Sequence, residues 1–107
     1  MLDRCAIAVA LVALAPSLAA GGEIDSGRAA QLERLVHQDC GSCHGMTMKG
    51  GLGSPLLPAT LQHVEDAAIA GIVLDGVPGT PMPPWRGLLS DSEAQWIARA
   101  LKAGVLK

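Results

Sequence analysis

Two cysteines, Cys40 and Cys43, stand three residues apart and are followed at once by a histidine, in the run Cys40-Gly41-Ser42-Cys43-His44. On one helical turn, side chains at i and i+3 project to the same side, and the residue at i+4 lies beside them. Thiols so placed can add to two vinyl groups along one edge of a porphyrin, with the His44 imidazole under the iron as proximal ligand. The C-x-x-C-H pattern is the attachment signature of a c-type haem. Two other chemistries use paired cysteines. A redox dithiol would leave His44 incidental and expects a βαβ context. A structural zinc ion asks for four ligands, and only His37 and His63 could join the set.

Haem held by His44 alone would be open on its other face, so a second axial ligand decides between a carrier and a reactive centre. The candidates are Met46, Met48, Met82, His37 and His63. Met46 and Met48 lie within four residues of His44, and reaching the opposite face from there would require the chain to wrap the ring edge at once; they read as loop or pocket-lining residues. His37 and His63 read as solvent-facing. Met82 sits far along the chain in Gly79-Thr80-Pro81-Met82-Pro83-Pro84-Trp85. Three prolines around it fix φ and lower the entropy lost in holding one thioether against a metal. Met82 is the favoured ligand.

The elements that must position these groups are helical. Ala29, Leu32, Leu35, Val36 and Cys40 recur at threes and fours, which predicts a helix over about 26–39 with Asp25 or Ser26 as its N-cap. Ser90-Asp91-Ser92-Glu93 is a capping box, followed by Ala94, Ile97 and Leu101 on one face and Gly104 as the stop. A third helix is expected over 65–75, ending at Gly76, and a short fourth over 58–63. No stretch alternates with period two, and residues 50–55 and 77–87 read as loops. The class is all-α.

Composition agrees with a domain built around a cofactor. The chain has 107 residues, half of them hydrophobic, yet no Phe and no Tyr. A domain this short ordinarily needs disulfides, a metal or a partner for stability. A covalently held porphyrin supplies the flat apolar volume that the aromatics do not. The formal net charge of −2 leaves no positive excess for a phosphate backbone, which excludes nucleic-acid binding. Residues 5–15 form an unbroken apolar run closed by Pro16-Ser17-Leu18-Ala19-Ala20. This reads as a secretory signal peptide over residues 1–20, cleaved after Ala19 or Ala20. Cys5 opens the apolar run instead of following it, the wrong order for lipidation, and the run is well short of the roughly 20 apolar residues that span a bilayer. Residues 21–107 are then one exported domain with two cysteines.

Taken together, these residues resemble a class I c-type cytochrome: a helix running into C-x-x-C-H-G, a proline some eleven residues later, a Met-Pro loop and a C-terminal helix. The resemblance covers essentially all of residues 21–107. It implies three to four helices wrapped around one haem c, held through Cys40, Cys43, His44 and Met82. It also implies that Pro55 contributes the carbonyl accepting the His44 Nδ1–H, a bond that fixes the ring's orientation. The runs from Cys40 to Thr47, Lys49 to Gly53 and Pro78 to Trp85 are similar to the small periplasmic monohaem cytochromes encoded beside the haem-containing dissimilatory nitrite reductase. That likeness implies a periplasmic monomer with a redox partner, electron delivery in denitrification, or a part in maturing the reductase. One departure is visible. Where class I chains place a glycine eight residues before the first haem cysteine and an aromatic four before it, this chain has Leu32 and Val36, and Ala100 stands at the late aromatic position. Knob and hole are exchanged.

The expected activity is one-electron transfer rather than catalysis. Lys49 stands almost alone near the motif, so docking is expected to rest on apolar contacts among Met46, Met48, Leu52 and Pro83. Arg86 and Trp85 are open to two readings, engagement with a haem propionate or ordinary solvation and packing.

Overall fold

The protein is described here by a computed structural model covering residues 8–13 and 24–106. The proposed cleavage positions Ala19 and Ala20, and Cys5, lie outside the described residues.

Five α-helices follow in order: α1 (Ser26–Leu35), α2 (Gly41–His44), α3 (Pro58–Leu61), α4 (Asp66–Asp75) and α5 (Asp91–Ala103). Among the described residues there are no strands. Asp25 is the α1 N-cap, its side chain accepting the Arg28 N–H at 2.7 Å. The expected single helix over 26–39 is instead a longer continuous run to His44 that contains one π-turn, Val36–Cys40, in which the Gly41 N–H reaches back five residues to the Val36 carbonyl. A π-turn accommodates one extra residue, and each residue of an α-helix accounts for about 100° of rotation. In an uninterrupted α-helix Leu32, Val36, Cys40 and Cys43 would share one stripe. The extra residue turns the second half of the run away from the first: Leu32 and Val36, both fully buried, face the core, whereas Cys40, Cys43 and His44 face a cavity.

The core is aliphatic. Leu32, Val36, Ala94 and Ala98 have no exposed surface, and Met48 and Ile97 have 1%. Trp85 and Trp96 pack against this cluster from its edge, half-buried. Leu32 and Val36, which stand in place of the usual glycine and aromatic, share their cluster with Ala94, Ala98 and Ala100 of α5. Large residues on the first helix and small ones on the last are what the exchange of knob and hole requires.

Helix α5 is fixed at both ends. Ser90 Oγ accepts the Glu93 N–H at 3.1 Å, the Glu93 carboxylate accepts the Ser90 N–H at 2.9 Å, and Gly104 closes the helix at φ +74°. The other Glu93 oxygen accepts from Arg28 Nε, tying the first turn of α5 to the first turn of α1. At the opposite end Lys102 Nζ donates to the Val64 carbonyl at 2.8 Å and to Asp66 at 2.9 Å, which docks α4 on α5.

The Arg28 guanidinium and the Ser90 amide hold the Glu93 carboxyl below its ordinary range. A carboxyl that titrates lower when folded adds stability that is complete above the unfolded value of about 4.3 and is lost as the pH falls through the folded value. Glu93→Gln keeps a side-chain acceptor for the capping box but loses the charge. We expect it to lower the thermal midpoint near pH 7, with the gap to the parent protein narrowing as the pH falls below the unfolded carboxyl value of about 4.3. Ser90→Ala, which removes the cap hydroxyl, is expected to cost about 1 kcal/mol with little pH dependence. Thermal denaturation followed by circular dichroism across this range checks both.

Candidate haem site

The His44 ring is placed by the loop that follows α2. The turn starts at Gly45, φ +92°, and folds back so that the Gly50 N–H donates to the His44 carbonyl at 2.8 Å and the Gly53 N–H to the Cys43 carbonyl at 2.7 Å. The chain passes so near the imidazole that a Cβ on Gly53 would lie 2.7 Å from His44 Cε1 and 2.8 Å from Nδ1. Only glycine allows that approach. His44 Nδ1 then lies 2.7 Å from the Ser54 carbonyl oxygen. With Nδ1–H donating there, the neutral ring keeps its lone pair on Nε2, the atom a metal takes.

Ser54, not Pro55, is therefore the acceptor, one residue before the expected one. Pro55 acts indirectly: a proline biases the residue before it to extended backbone, and its ring lies against Gly50, where an added Cβ would meet Pro55 Cγ at 3.3 Å. Met48 also departs from expectation. It is neither a pocket-lining nor a docking residue but a core residue, 1% exposed, with the left-handed φ of +61° that turns its side chain inward. Its carbonyl accepts the Leu56 N–H at 2.9 Å, closing the loop. Met46 remains outside, 61% exposed.

Cys40 and Cys43 are unpaired and half-buried. Burial pushes the Cys40 thiol up to about 11, with the neighbouring Asp39 and Cys43 adding to the effect. Among the described residues no group of three or more His, Cys, Asp or Glu side chains could hold a metal ion. Both cysteines line the cavity, within reach of a group bound there.

Met82 belongs to a loop closed on itself. Its carbonyl accepts the Val77 N–H at 3.2 Å, and its N–H points to Thr80 Oγ1 at 3.3 Å. Beyond the prolines the Trp85 N–H donates to the Val73 and Leu74 carbonyls at 3.1 and 3.0 Å, returning the loop to the end of α4. Arg86 pairs with Asp75 at 2.8 Å and Asp91 at 3.4 Å, so its charge joins the end of α4 to the start of α5.

These parts meet in a cavity of about 730 Å³ lined by Cys40, Cys43, His44 and Met82, with walls from Leu61, Ile69, Val73, Trp85, Ile97 and Leu101. The volume lies in the range of small-molecule and cofactor sites, and Asp39 is the one charged side chain among its described lining residues. A planar, largely apolar macrocycle with a nitrogen and a sulfur donor at hand fits this donor set. The remaining sequence candidates are elsewhere: Met46, Met48, His37 and His63 are absent from the lining, His63 being exposed beside Gln62. The sequence marks Ile97 and Leu101 as an apolar helix face but not as cavity walls, and it does not mark Gly53 or Ser54 as site residues. Only the clustering of glycines at 50–53 hints at a close approach there.

Among known proteins, the family described as cytochrome c oxidase, cbb3-type, subunit III, matches residues 27–99. Cytochrome c55X of Paracoccus denitrificans (strain Pd 1222) is 48% identical over 92 residues, covering 86% of this chain and 88% of the relative. The solved structure of the c-type cytochrome NirC is 47% identical with a TM-score of 0.75, covering 78% of this chain and 98% of that one. The structure of the dihydro-heme d1 dehydrogenase NirN is 36% identical with a TM-score of 0.60, covering 65% of this chain but only 15% of that one. The strand-free helical architecture is consistent with the class I cytochrome c fold. The C-x-x-C-H turn, the donor-lined cavity and these likenesses agree: the chain belongs to the cytochrome c55X family of small c-type cytochromes, whose cofactor is covalently bound haem c.

Proposed function

We propose that the protein is an exported, monomeric one-electron carrier that holds a single haem through Cys40, Cys43, His44 and Met82 and delivers electrons to a haem-containing dissimilatory nitrite reductase in the periplasm. The observation that carries this reading is that His44 and Met82 line one apolar cavity, giving a nitrogen and a sulfur donor for the two axial positions. Haem ligated by Met and His supplies a one-electron couple of raised potential. The chain's own residues do the rest. Ser54 and Gly53 set the imidazole, the closed loop at 76–85 sets the thioether, and the largely apolar walls would surround the macrocycle. One C-x-x-C-H in the chain accounts for one haem. The apolar run at 5–15 accounts for export, and among the described residues no helix is long and apolar enough to cross a membrane.

Docking of the partner rests on apolar surface. Leu52, Ile72 and Val77 line the cavity and are exposed by 79, 47 and 39%, and Pro81 and Pro83, also in the lining, are exposed as well. Met48, being in the core, takes no part. A contact of this kind is small and short-lived, as transient redox interfaces are. A second reading, assistance in haem assembly of the reductase, draws on the likeness to part of a dihydro-heme d1 dehydrogenase. Turnover separates them: a carrier is reduced and reoxidised at useful rates.

Three outcomes are expected. Met82→Ala should abolish the weak long-wavelength sulfur-to-iron band of the oxidised protein and admit cyanide or carbon monoxide; retention of the band in Met82→Ala, with loss in Met46→Ala or Met48→Ala, would reassign the ligand. Replacing both Cys40 and Cys43 by Ser should leave no stable colourless domain, because the macrocycle is core material; a cooperative melt from such a variant contradicts this. Stopped-flow mixing of the reduced protein with nitrite reductase should show electron transfer with a shallow dependence on ionic strength. A rate that collapses with salt removes the apolar-docking argument, whereas no transfer at any salt favours the assembly reading.

A further inference from the structure

We infer that Gly76 and Thr80 are positioning residues for the Met82 thioether, an inference that rests on Met82 being the axial ligand. Gly76 directly follows α4 with φ +66° and ψ −171°, a combination essentially restricted to glycine. A Cβ at this position would lie 2.7 Å from the Met82 carbonyl oxygen and 2.8 Å from both the Pro83 carbonyl carbon and the Pro84 nitrogen. The backbone that carries the ligand therefore rests flat on the α-carbon of Gly76, at a distance no other residue type permits. The Gly76 N–H is itself anchored, donating to the Ile72 carbonyl at 2.8 Å, so the surface on which Met82 rests is the last turn of a packed helix.

Thr80 completes the arrangement from the other side. Its hydroxyl donates to the Val77 carbonyl at 2.7 Å and receives the Met82 N–H at 3.3 Å. Met82 thus has its carbonyl held by Val77 and its N–H by Thr80, while Pro81 and Pro83 on either side restrict φ. The loop presents the thioether in a form already close to the one that binds, and little further entropy is lost on ligation. The role in electron transfer is to keep the sulfur in place in both oxidation states and to keep other ligands out.

Gly79 provides an internal control, since it too has a positive φ, +77°, but an added Cβ there meets nothing within 4 Å. Gly79→Ala tests backbone strain alone; Gly76→Ala tests strain and displacement of the Met82 backbone together. Holoproteins of both, and of Thr80→Val and Thr80→Ser, are compared by far-ultraviolet circular dichroism, by the sulfur-to-iron band of the oxidised form and by the rate of carbon monoxide binding to the reduced form. Gly76→Ala is expected to keep covalent haem and helix content, to weaken or lose the band, and to bind carbon monoxide at least roughly tenfold faster. Gly79→Ala should stay within about twofold of the parent, Thr80→Val should fall between, and Thr80→Ser should restore parental behaviour. A parental band and rate in Gly76→Ala overturn the proposal, as does an equal effect in Gly79→Ala. Should Gly76→Ala yield no holoprotein, Thr80→Val decides: faster carbon monoxide binding supports the proposal and a parental rate overturns it. A Met82→Ala variant that keeps the band refutes the ligand assignment itself, whatever the glycine variants show.

Discussion

The hydrogen bond between His44 Nδ1 and the Ser54 carbonyl, 2.7 Å long, constrains much of what surrounds it. For that bond to form, a histidine at the end of a helix must meet a carbonyl ten residues on, and the chain between must reverse within a few ångströms of the ring. Gly53 makes the approach possible because a side chain there would overlap the imidazole. Gly45 and Gly50 supply the positive φ angles of the reversal, and Met48 is turned into the core at the same step. The tautomer, the loop and part of the hydrophobic core are one arrangement. A change at any of these positions reaches the nitrogen that faces the cavity.

The second arm of the site is built by the same physical means from unrelated sequence. At both, a glycine at a turn allows the backbone to approach at a distance that excludes a Cβ, and the residue proposed as a ligand is held by hydrogen bonds, to the Ser54 carbonyl at His44 and to the Val77 N–H and the Thr80 hydroxyl at Met82. Gly53 does this against the His44 ring and Gly76 against the Met82 peptide. Between the arms, α4 and α5 provide aliphatic walls, and Lys102, Asp66 and the Val64 carbonyl lock those two helices together. The site is thus held by close backbone packing at His44 and Met82 and is largely apolar elsewhere, as the proposed carrier role requires. Leu52, Ile72 and Val77 are exposed at the cavity lining, and these are the residues on which the proposed docking rests.

Much of this was legible in the sequence because it depends on local rules. The capping box at Ser90 and Glu93, the stop at Gly104, the helix expected over 65–75 and the C-x-x-C-H spacing each follow from a few neighbouring residues. The features that were not legible depend on distant contacts. The π-turn at Val36–Cys40 leaves the three- and four-residue spacing of apolar positions intact, so the pattern reads as an unbroken helix. Met48 stands in a polar-looking loop, and its burial depends on a left-handed backbone angle that a methionine does not announce. Whether Ser54 or Pro55 offers its carbonyl turns on a difference of one peptide in a loop of glycines. The close approaches at Gly53 and Gly76 involve partners six to nine residues away across a loop, and a glycine in a loop looks the same whether it relieves a clash or merely bends the chain.

The central claim is that His44 and Met82 are the two axial ligands of one haem. Proton nuclear magnetic resonance of the reduced, diamagnetic holoprotein tests it most directly, because a methionine methyl group fixed above the porphyrin is shifted far upfield by the ring current. The account predicts one such three-proton resonance, assigned to Met82. An upfield methyl belonging to Met46 or Met48, or none at all, would contradict it.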